Sequence, residues 1–525
     1  MEQIYDLGSR RELFVDDFFI RELNGAVSRR LHQPVPAEIV FTADAPHEMS
    51  NHSGGSYCSI VHDEKENRYL MYYRAGMRTP TPGNPSQSCD FILCVAETRD
   101  GIHFERCRVD LLPTGGNVVL DSSMTRHLVP ERCKDTCPGV TSVFYDTNPD
   151  CPDDERFKMI VTNEQPHLHP DEGMYLFVSA DGYRFRQKTE KFKLDPQSGY
   201  DSINQAFYDP VAKQYRLFHR GYGKRDKRTV ISHMTKDFVT FTNGAYLEFD
   251  EEFQRCAILG QELYTNGIRP YFRAPHILLG FPMRYFDGAM IPGCYAGKGD
   301  WNCSVLSRPD FNNRLFRANM TPRYGLCSTD SVLIASRDGV HFQGWTDAFL
   351  TPPPTEDSWF YGSASLAIGM IPTASRLGYG APDELSFYSP EGSWGDGCTR
   401  FRRNVLRTDG FVSLHFESKG GVLLTPPFRF KGGRLTLNIV TGAVGGFRAE
   451  FRDSNGKPIP GYTFEECYEE RGDSLEMTAR WKTAGPDVRP LEGETVRLAI
   501  LARNCDLYSI CFAPWQPDPE VPPLN

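Results

Sequence analysis

Three carboxylates stand where the sequence could do chemistry: Asp201 in GYDSINQAF, Glu262 in GQELYTN and Glu391 in SPEGSWGDG, each at the end of a strand-forming run. Carboxyls facing one another suit glycoside cleavage, since one protonates the leaving oxygen while another attacks the sugar or activates water. Three arginines recur in register at equivalent strand ends, Arg74 in YYRAG, Arg220 in FHRGYG and Arg284 in PMRYF. They read either as rim salt bridges or as a cationic pocket that binds a carboxylate or phosphate bidentately. Asn204, Asp330 and Trp394 complete the expected substrate-binding set. His167 and His169, with Glu164 and Asp171, lack a fixed ligand spacing, so no metal is expected. The chain has no GxGxxG after a strand, no P-loop, no HExxH and no GxSxG, so no cofactor is expected either.

The elements that must position these residues announce themselves by repetition. TRDGIHF (98–104), SADGYRF (179–185) and SRDGVHF (336–342) share one pattern, and TKDFVTF (235–241) and RTDGFVSLHF (407–416) are looser copies. Ser/Thr-x-Asp followed by Gly between β-rich runs is a hairpin signal. About the five turns, at Asp100, Asp181, Asp237, Asp338 and Asp409, the sequence reads as five units of four antiparallel strands. This predicts an all-β chain: a five-bladed β-propeller, with the LFVDDFFI strand near the N-terminus joining the last blade or covering its edge. After Glu417 the Gly-turn strands of residues 418–517 predict a β-sandwich, and 518–525 a Pro-rich tail, so the expected domains are 1–417, 418–517 and 518–525. No amphipathic helix is expected.

In a propeller the connections into each inner strand and the loops after each second strand share one rim. That rim would collect Asp135, Asp201, Glu262 and Asp357 at inner-strand starts, and Arg74, Glu164, Arg220, Arg284 and Glu391 at second-strand ends. The aspartates of the repeated turns lie on the other face and are structural, as are Asp63, Asp146 and Asp209. The insertion at about 287–329, with Tyr295, Trp301 and Tyr324, reads as a lid or sugar-stacking wall, or as a surface decoration.

Composition narrows the partners. At 525 residues with a net charge of −10, the chain invites neither nucleic acid nor an anionic membrane. The 24 Tyr and 35 Phe suit strands and sugar-binding clefts. No apolar run reaches a spanning length and no signal peptide is visible, so the 15 Cys are expected as reduced thiols in a cytoplasm.

ELFVDDFFI, DSINQAFYDP, LYTNGIRPYFRAPHILLGFPMRY, the SRDG turn, GKPIPGYTFEEC and GDSLEMTARWK together resemble bacterial glycoside hydrolase-like proteins related to families 32 and 43, the invertase and arabinanase type. The resemblance implies a five-bladed propeller followed by a β-sandwich. The NDPNG opening of true invertases does not occur, Arg308-Pro309-Asp310 scrambles their RDP, and Glu466-Cys467 falls in the expected sandwich. No catalytic residue is therefore carried over, and the site rests on topology. The expected function is a glycosidase cleaving a small oligosaccharide or glycoside, with Asp201 as base or nucleophile and Glu262 or Glu391 as the acid. The alternatives are a glycoside phosphorylase whose phosphate is held by Arg74, Arg220 and Arg284, and a non-catalytic carbohydrate-binding propeller. The expected partner is a small carbohydrate, and the sandwich packs on the propeller or makes subunit contacts in a homo-oligomer.

Overall fold

The computed structural model describes residues 2–48, 57–76, 91–112, 115–128, 140–163, 172–194, 199–222, 228–258, 261–286, 295–297, 300–301, 327–354, 362–392 and 398–517. The chain is almost entirely β and folds as two compact units. One comprises Gln33–Tyr271 and Pro275–Val405; the other comprises Met1–His32, Phe272–Ala274 and Leu406–Asn525. The expected division at 417/418 thus differs from the division that the contacts make.

The larger unit has a propeller arrangement of antiparallel sheets. The first sheet runs Cys58–Asp63, Arg68–Ala75, Ile92–Thr98 and Glu105–Arg106, with Val118–Leu120 added to its third strand. The second runs Val140–Tyr145, Phe157–Asn163, Gly173–Ser179 and Arg186–Gln187; the third runs Gln205–Asp209, Gln214–Tyr222, Arg228–Thr235 and Ala245–Tyr246. The fourth begins with Gln261–Leu263 and Arg269–Tyr271 and ends with Ser328–Ser336 and His341–Leu350; the fifth runs Ile371–Thr373, Glu384–Glu391, Thr399–Arg407 and Val35–Ala43. Apolar clusters fill the spaces between successive sheets: Leu70 and Val95 with Met159 and Phe177, Ile160 and Leu176 with Leu217, and Phe207 and Phe218 with Ile268 and Ile334. Phe281 and Phe349 meet Phe387, joining fourth to fifth, and Tyr388 and Phe401 meet Tyr73 and Cys94, returning fifth to first.

The repeated turns are the clasps between these sheets. In four copies, at Asp100, Asp181, Asp237 and Asp338, the aspartate Oδ1 accepts the N–H groups two and three residues on, at 2.8 Å each. The preceding Ser or Thr hydroxyl accepts the N–H of the residue after the aspartate at 2.9–3.0 Å. That residue has positive φ: Gly101, Gly182, Phe238 and Gly339. Each turn then docks on the sheet before it. Tyr388 of the fifth sheet donates its phenol to the Gly101 carbonyl (2.6 Å), and Tyr72 of the first donates to the Gly182 carbonyl (2.7 Å). Phe238 packs on Phe144 of the second sheet, and Gly339 lies against Arg216 of the third.

The inner strands are tied to one another by small polar side chains. An inner strand has no further strand beyond it, so one edge presents unpaired backbone groups. Ser142 donates to the Asn204 carbonyl (2.6 Å), Ser202 to the Tyr264 carbonyl, Asn266 to the Ile203 carbonyl (2.8 Å) and Gln205 to the Ile268 carbonyl (2.8 Å). Thr329 and Ser331 donate to the carbonyls of Ser363 and Ala364, Ile368 pairs with Cys58 and Ile60, and Val143 donates its N–H to Ser59. These bonds pass from one sheet to the next.

Several expectations are corrected. LFVDDFFI does not join the fifth sheet: Glu12–Leu13 pairs with Val496–Ala513, and Phe14 and Phe19 enter the core of the smaller unit. The strand that completes the fifth sheet is Val35–Ala43, antiparallel to Thr399–Arg407. The fifth turn copy also departs, because FVSLHF belongs to Val412–Leu424 in the smaller unit's sheet and Asp409 is buried there, bound by Arg273 (3.0 Å) and Arg11 (3.5 Å). A helix the sequence reading did not anticipate, Glu251–Ile258, is capped by Asp250, whose carboxylate accepts the Phe253 N–H at 2.9 Å, and it buries Phe253 against Phe249. No described helix is long and apolar enough to cross a membrane.

The smaller unit is one eight-stranded sheet about a single core. Both halves of Arg434–Asp453 feed that core, Leu435, Leu437 and Ile439 from one and Phe447, Ala449 and Phe451 from the other, so the sheet folds over itself around Trp481. The described cysteines are free thiols.

Two predictions test the clasps. A Cβ on Gly182 would lie 2.7 Å from the Tyr72 hydroxyl at a φ of +78°, whereas Gly378 has positive φ with open space around it. Gly182→Ala should therefore cost about 2–4 kcal/mol of unfolding free energy and Gly378→Ala about 1 kcal/mol; equal losses in denaturant titrations would remove the clasp. The Asp181, Asp237 and Asp338 carboxyls are all held below the usual aspartate range. Backbone N–H donors do this at Asp237; at Asp181 and Asp338 burial opposes the charge and the donors outweigh it. Their contribution is present above the unfolded aspartate pKa of about 3.9 and is lost as pH falls below it through the lower folded values. Melting temperature should drop between about pH 5 and pH 2.5, and drop less for D181N/D237N/D338N; parallel curves would contradict this.

Candidate active site at the N-terminal ends of the inner strands

The inner strands begin close together. Tyr57 of the first sheet, Ile203 of the third, Tyr264 of the fourth and Ile368 of the fifth form one buried cluster with Met283, Tyr285 and Cys327. Asp201 lies in the connection just before the third inner strand, Gln205–Asp209, and Glu262 lies on the fourth. Both therefore flank this cluster.

Asp201 is the exposed carboxylate of the three, with 38% of its side chain accessible. Its Oδ2 lies 3.5 Å from Nη1 of Arg220, whose own side chain is 1% exposed. Arg220 also donates to the Tyr264 carbonyl at 3.4 Å, and its guanidinium carbon stacks 4.5 Å from the Tyr264 ring centroid. Glu262 is 6% exposed and accepts from Arg228 twice, from Nη1 at 2.7 Å and from the backbone N–H at 3.1 Å. Arg228 stacks on the same Tyr264 ring at 5.5 Å and on Tyr285 at 5.4 Å. Asp201, Arg220, Tyr264, Arg228 and Glu262 are thus one contiguous set.

Arg74 belongs beside that set. It lies between the rings of Tyr57 and Phe91, 4.4 Å from each centroid. Burial, then the charges of Tyr264 and Asp201, push the Tyr57 phenol well above its usual range, against the pull of Arg74 and Arg220. Tyr57 is therefore a neutral, buried phenol. Burial and the neighbouring Arg220 weigh against the Arg228 charge, and Glu262 outweighs them.

Other expected residues fall elsewhere. Glu391 pairs bidentately with Arg402, which also donates to the Ala37 carbonyl, and it lines a cleft with Pro36, Leu350 and Thr351. No described interaction joins it to Asp201. Arg284 is in register as expected, but its guanidinium grips Asp330 directly across the strand pair (Nε to Oδ1, 2.8 Å) and donates to the Thr346 carbonyl (2.7 Å). Arg284 and Asp330 thus form a cross-strand ion pair. Asn204 is buried and uses its amide on Thr162 (2.9 Å), the Tyr200 carbonyl (2.8 Å) and the Arg220 N–H (3.3 Å). It braces Arg220 instead of facing a ligand. Trp394, Asp135, Asp357, Glu164, His167, His169, Asp171 and Tyr324 lie outside the described residues, as do the side chains of Tyr295 and Trp301.

The sequence reading missed three groups. Arg228 sits in the basic run KRDKR, where nothing local singles out one charge. Tyr264 carries no signal beyond an aromatic after Glu262. Glu172 is buried, accepts the Tyr200 N–H at 2.7 Å beside Asp201, and burial pushes its carboxyl above the usual range. Among the described residues, His47, Glu48 and Cys94 come within metal-ligand reach of one another. Glu48 is already bound by Arg106, Tyr73 and Asn117, and burial pushes the Cys94 thiol well up, so the group is a hydrogen-bonded core cluster.

No family model and no curated protein matches this chain. Solved structures similar to it are distant propeller-fold carbohydrate enzymes. A fructofuranosidase from Schwanniomyces occidentalis, solved with fructose, aligns with a TM-score of 0.37 at 10% identity over 91% of this chain and 97% of the other. An N-acetylgalactosamine deacetylase from F. plautii, solved with blood group B trisaccharide, gives 0.39 at 13% over 73% and 96%. MPT-4, a mannose phosphorylase from Leishmania mexicana solved with phosphate, gives 0.36 at 8% over 72% and 89%. A likeness this distant assigns neither a family nor an activity.

If Asn204 braces the scaffold, Asn204→Ala should lower unfolding free energy by about 1–3 kcal/mol, since it strands the buried Arg220 N–H and the Thr162 hydroxyl. An unchanged melting temperature with weakened sugar binding would return Asn204 to the ligand.

Proposed function

We propose that the protein is a carbohydrate-active enzyme that hydrolyses a glycosidic bond at the inner-strand ends of the larger unit. Asp201 is the base or nucleophile and Glu262 the acid. The observation that carries the proposal is the contiguous set about Tyr264, in which an accessible carboxylate lies beside the buried Arg220 and a buried one is bound by the part-buried Arg228. Asp201 lies beside Arg220 and is open to solvent, where a base or nucleophile can reach a substrate. Glu262 is preferred to Glu391 because it shares the Tyr264–Arg228 cluster with Asp201. Arg228 pairs with Glu262, and a substrate group that draws Arg228 away leaves Glu262 to serve as the acid.

The arginines favour one second reading, phosphorolysis, in which phosphate takes the place of water. The blade reading that goes with this proposal is five-bladed, the axis running through the hydrogen-bonded inner strands.

Purified protein should release sugar from at least one member of a panel of aryl glycosides and oligosaccharides. Asp201→Asn and Glu262→Gln should each lower kcat about 10²- to 10⁴-fold with melting temperature within a few degrees. Glu391→Gln should lower stability and leave kcat within about threefold. Sugar release unchanged in D201N would remove Asp201 from the mechanism; release only with phosphate would select the phosphorylase.

A further inference from the structure

We propose that Arg220 and Arg228, stacked about the Tyr264 ring, form a subsite for one oxyanion, a carboxylate or phosphate carried by the substrate or co-substrate. The identity of the ligand as a carbohydrate reactant rests on the function proposed above; the subsite itself rests on how the two guanidiniums are used.

Arginines that serve the scaffold of this protein spend their donors internally. Arg216 binds Asp209 through two nitrogens and Ser232 through a third; Arg403 binds Glu38 through two, and Thr373 and Ser386 through the remaining one. Arg220 does not. Its two contacts, 3.5 Å to Asp201 and 3.4 Å to the Tyr264 carbonyl, are long for charge-assisted hydrogen bonds, which run at about 2.7–2.9 Å. Its Nε is buried with no partner among the described residues, and so is the Nε of Arg228. Arg228 spends one nitrogen on Glu262 and none on any other described acceptor. Two under-used forks against one ring is an arrangement that burial penalises unless an acceptor arrives.

Among the described residues, the guanidiniums of Arg220 and Arg228 share this cluster with the carboxylates of Asp201 and Glu262. Glu172 is the further carboxyl in range of Asp201 and Arg220, and burial favours its neutral form. Arg220 and Arg228 repel one another across the Tyr264 ring, and a bridging oxyanion removes that repulsion. Planar guanidinium forks match carboxylate and phosphate oxygens, whereas a neutral hydroxyl leaves the charge uncompensated. An anion bound here also competes with Glu262 for Arg228, coupling substrate recognition to the contacts of the acid.

The test is calorimetric titration of the full-length protein with inorganic phosphate, glucuronate, galacturonate and the neutral sugars glucose and galactose, at low and high ionic strength. At least one oxyanion should bind about tenfold or more tightly than the neutral sugars, with an affinity that falls as salt rises. Arg228→Gln should weaken that binding about 10- to 100-fold, and Arg228→Lys should recover part of it. Preference for phosphate identifies a co-substrate, and preference for a uronate identifies a carboxylated sugar. Binding of no oxyanion above the neutral sugars, or equal binding by the wild type and a folded Arg228→Gln, overturns the proposal. Should Arg228→Gln not fold, the salt dependence of the wild type and the behaviour of Arg228→Lys decide it. Oxyanion binding without turnover on any panel would sink the hydrolase and keep the subsite; turnover of neutral glycosides without oxyanion binding would do the reverse.

Discussion

The structure of the larger unit depends on satisfying the free edge of each inner strand. These strands end their sheets, yet they are buried, so every carbonyl and N–H on the open edge needs a partner from a neighbour. Ser142, Ser202, Gln205, Asn266, Thr329 and Ser331 provide them, all nearly inaccessible to solvent. Each such bond contributes about 0.5–1.5 kcal/mol net, but an unmet buried group costs more, which is why small polar residues occupy positions that packing alone would give to Val or Leu. The repeated turns clasp the preceding sheets, two through a tyrosine phenol, one through Phe238 packed on Phe144 and one through Gly339 against Arg216.

The same bonds fix the chemistry. Asn204 holds the Arg220 N–H and also presents its own carbonyl to Ser142, so the arginine that faces Asp201 is part of the axial network. Ser202 and Asn266 knit the third inner strand to the fourth on either side of Tyr264. The site is therefore assembled from strand ends rigidly held at the backbone.

What the sequence disclosed follows the range of the forces involved. The four Ser/Thr-x-Asp turns were legible because their hydrogen bonds close within five residues. The fifth copy, RTDG, carries the same letters, but Asp409 answers to Arg11 and Arg273, far away in sequence, and its turn enters the other unit. Likewise LFVDDFFI and VPAEIVFTA both read as strands, and only long-range pairing decides that Val35–Ala43 completes the fifth sheet while Phe14 and Phe19 fill the smaller unit's core. Register placed Asp201, Arg220 and Glu262 at inner or second strand ends. It could not show that Arg284 faces Asp330 on the adjoining strand, nor which cation of KRDKR meets Glu262, because both facts depend on the partner strand.

The most direct measurement is chemical rescue of Asp201→Gly by azide, on the aryl glycoside that the wild-type protein cleaves fastest. A small anion that fits the space of the lost carboxylate attacks the sugar in its place or in place of the water it activates. The account predicts that azide restores turnover and yields a glycosyl azide, with no rescue of Glu391→Gly. Turnover of Asp201→Gly that matches the wild type, or an inactive variant that azide leaves inactive while its fold is intact, would contradict the central role of Asp201.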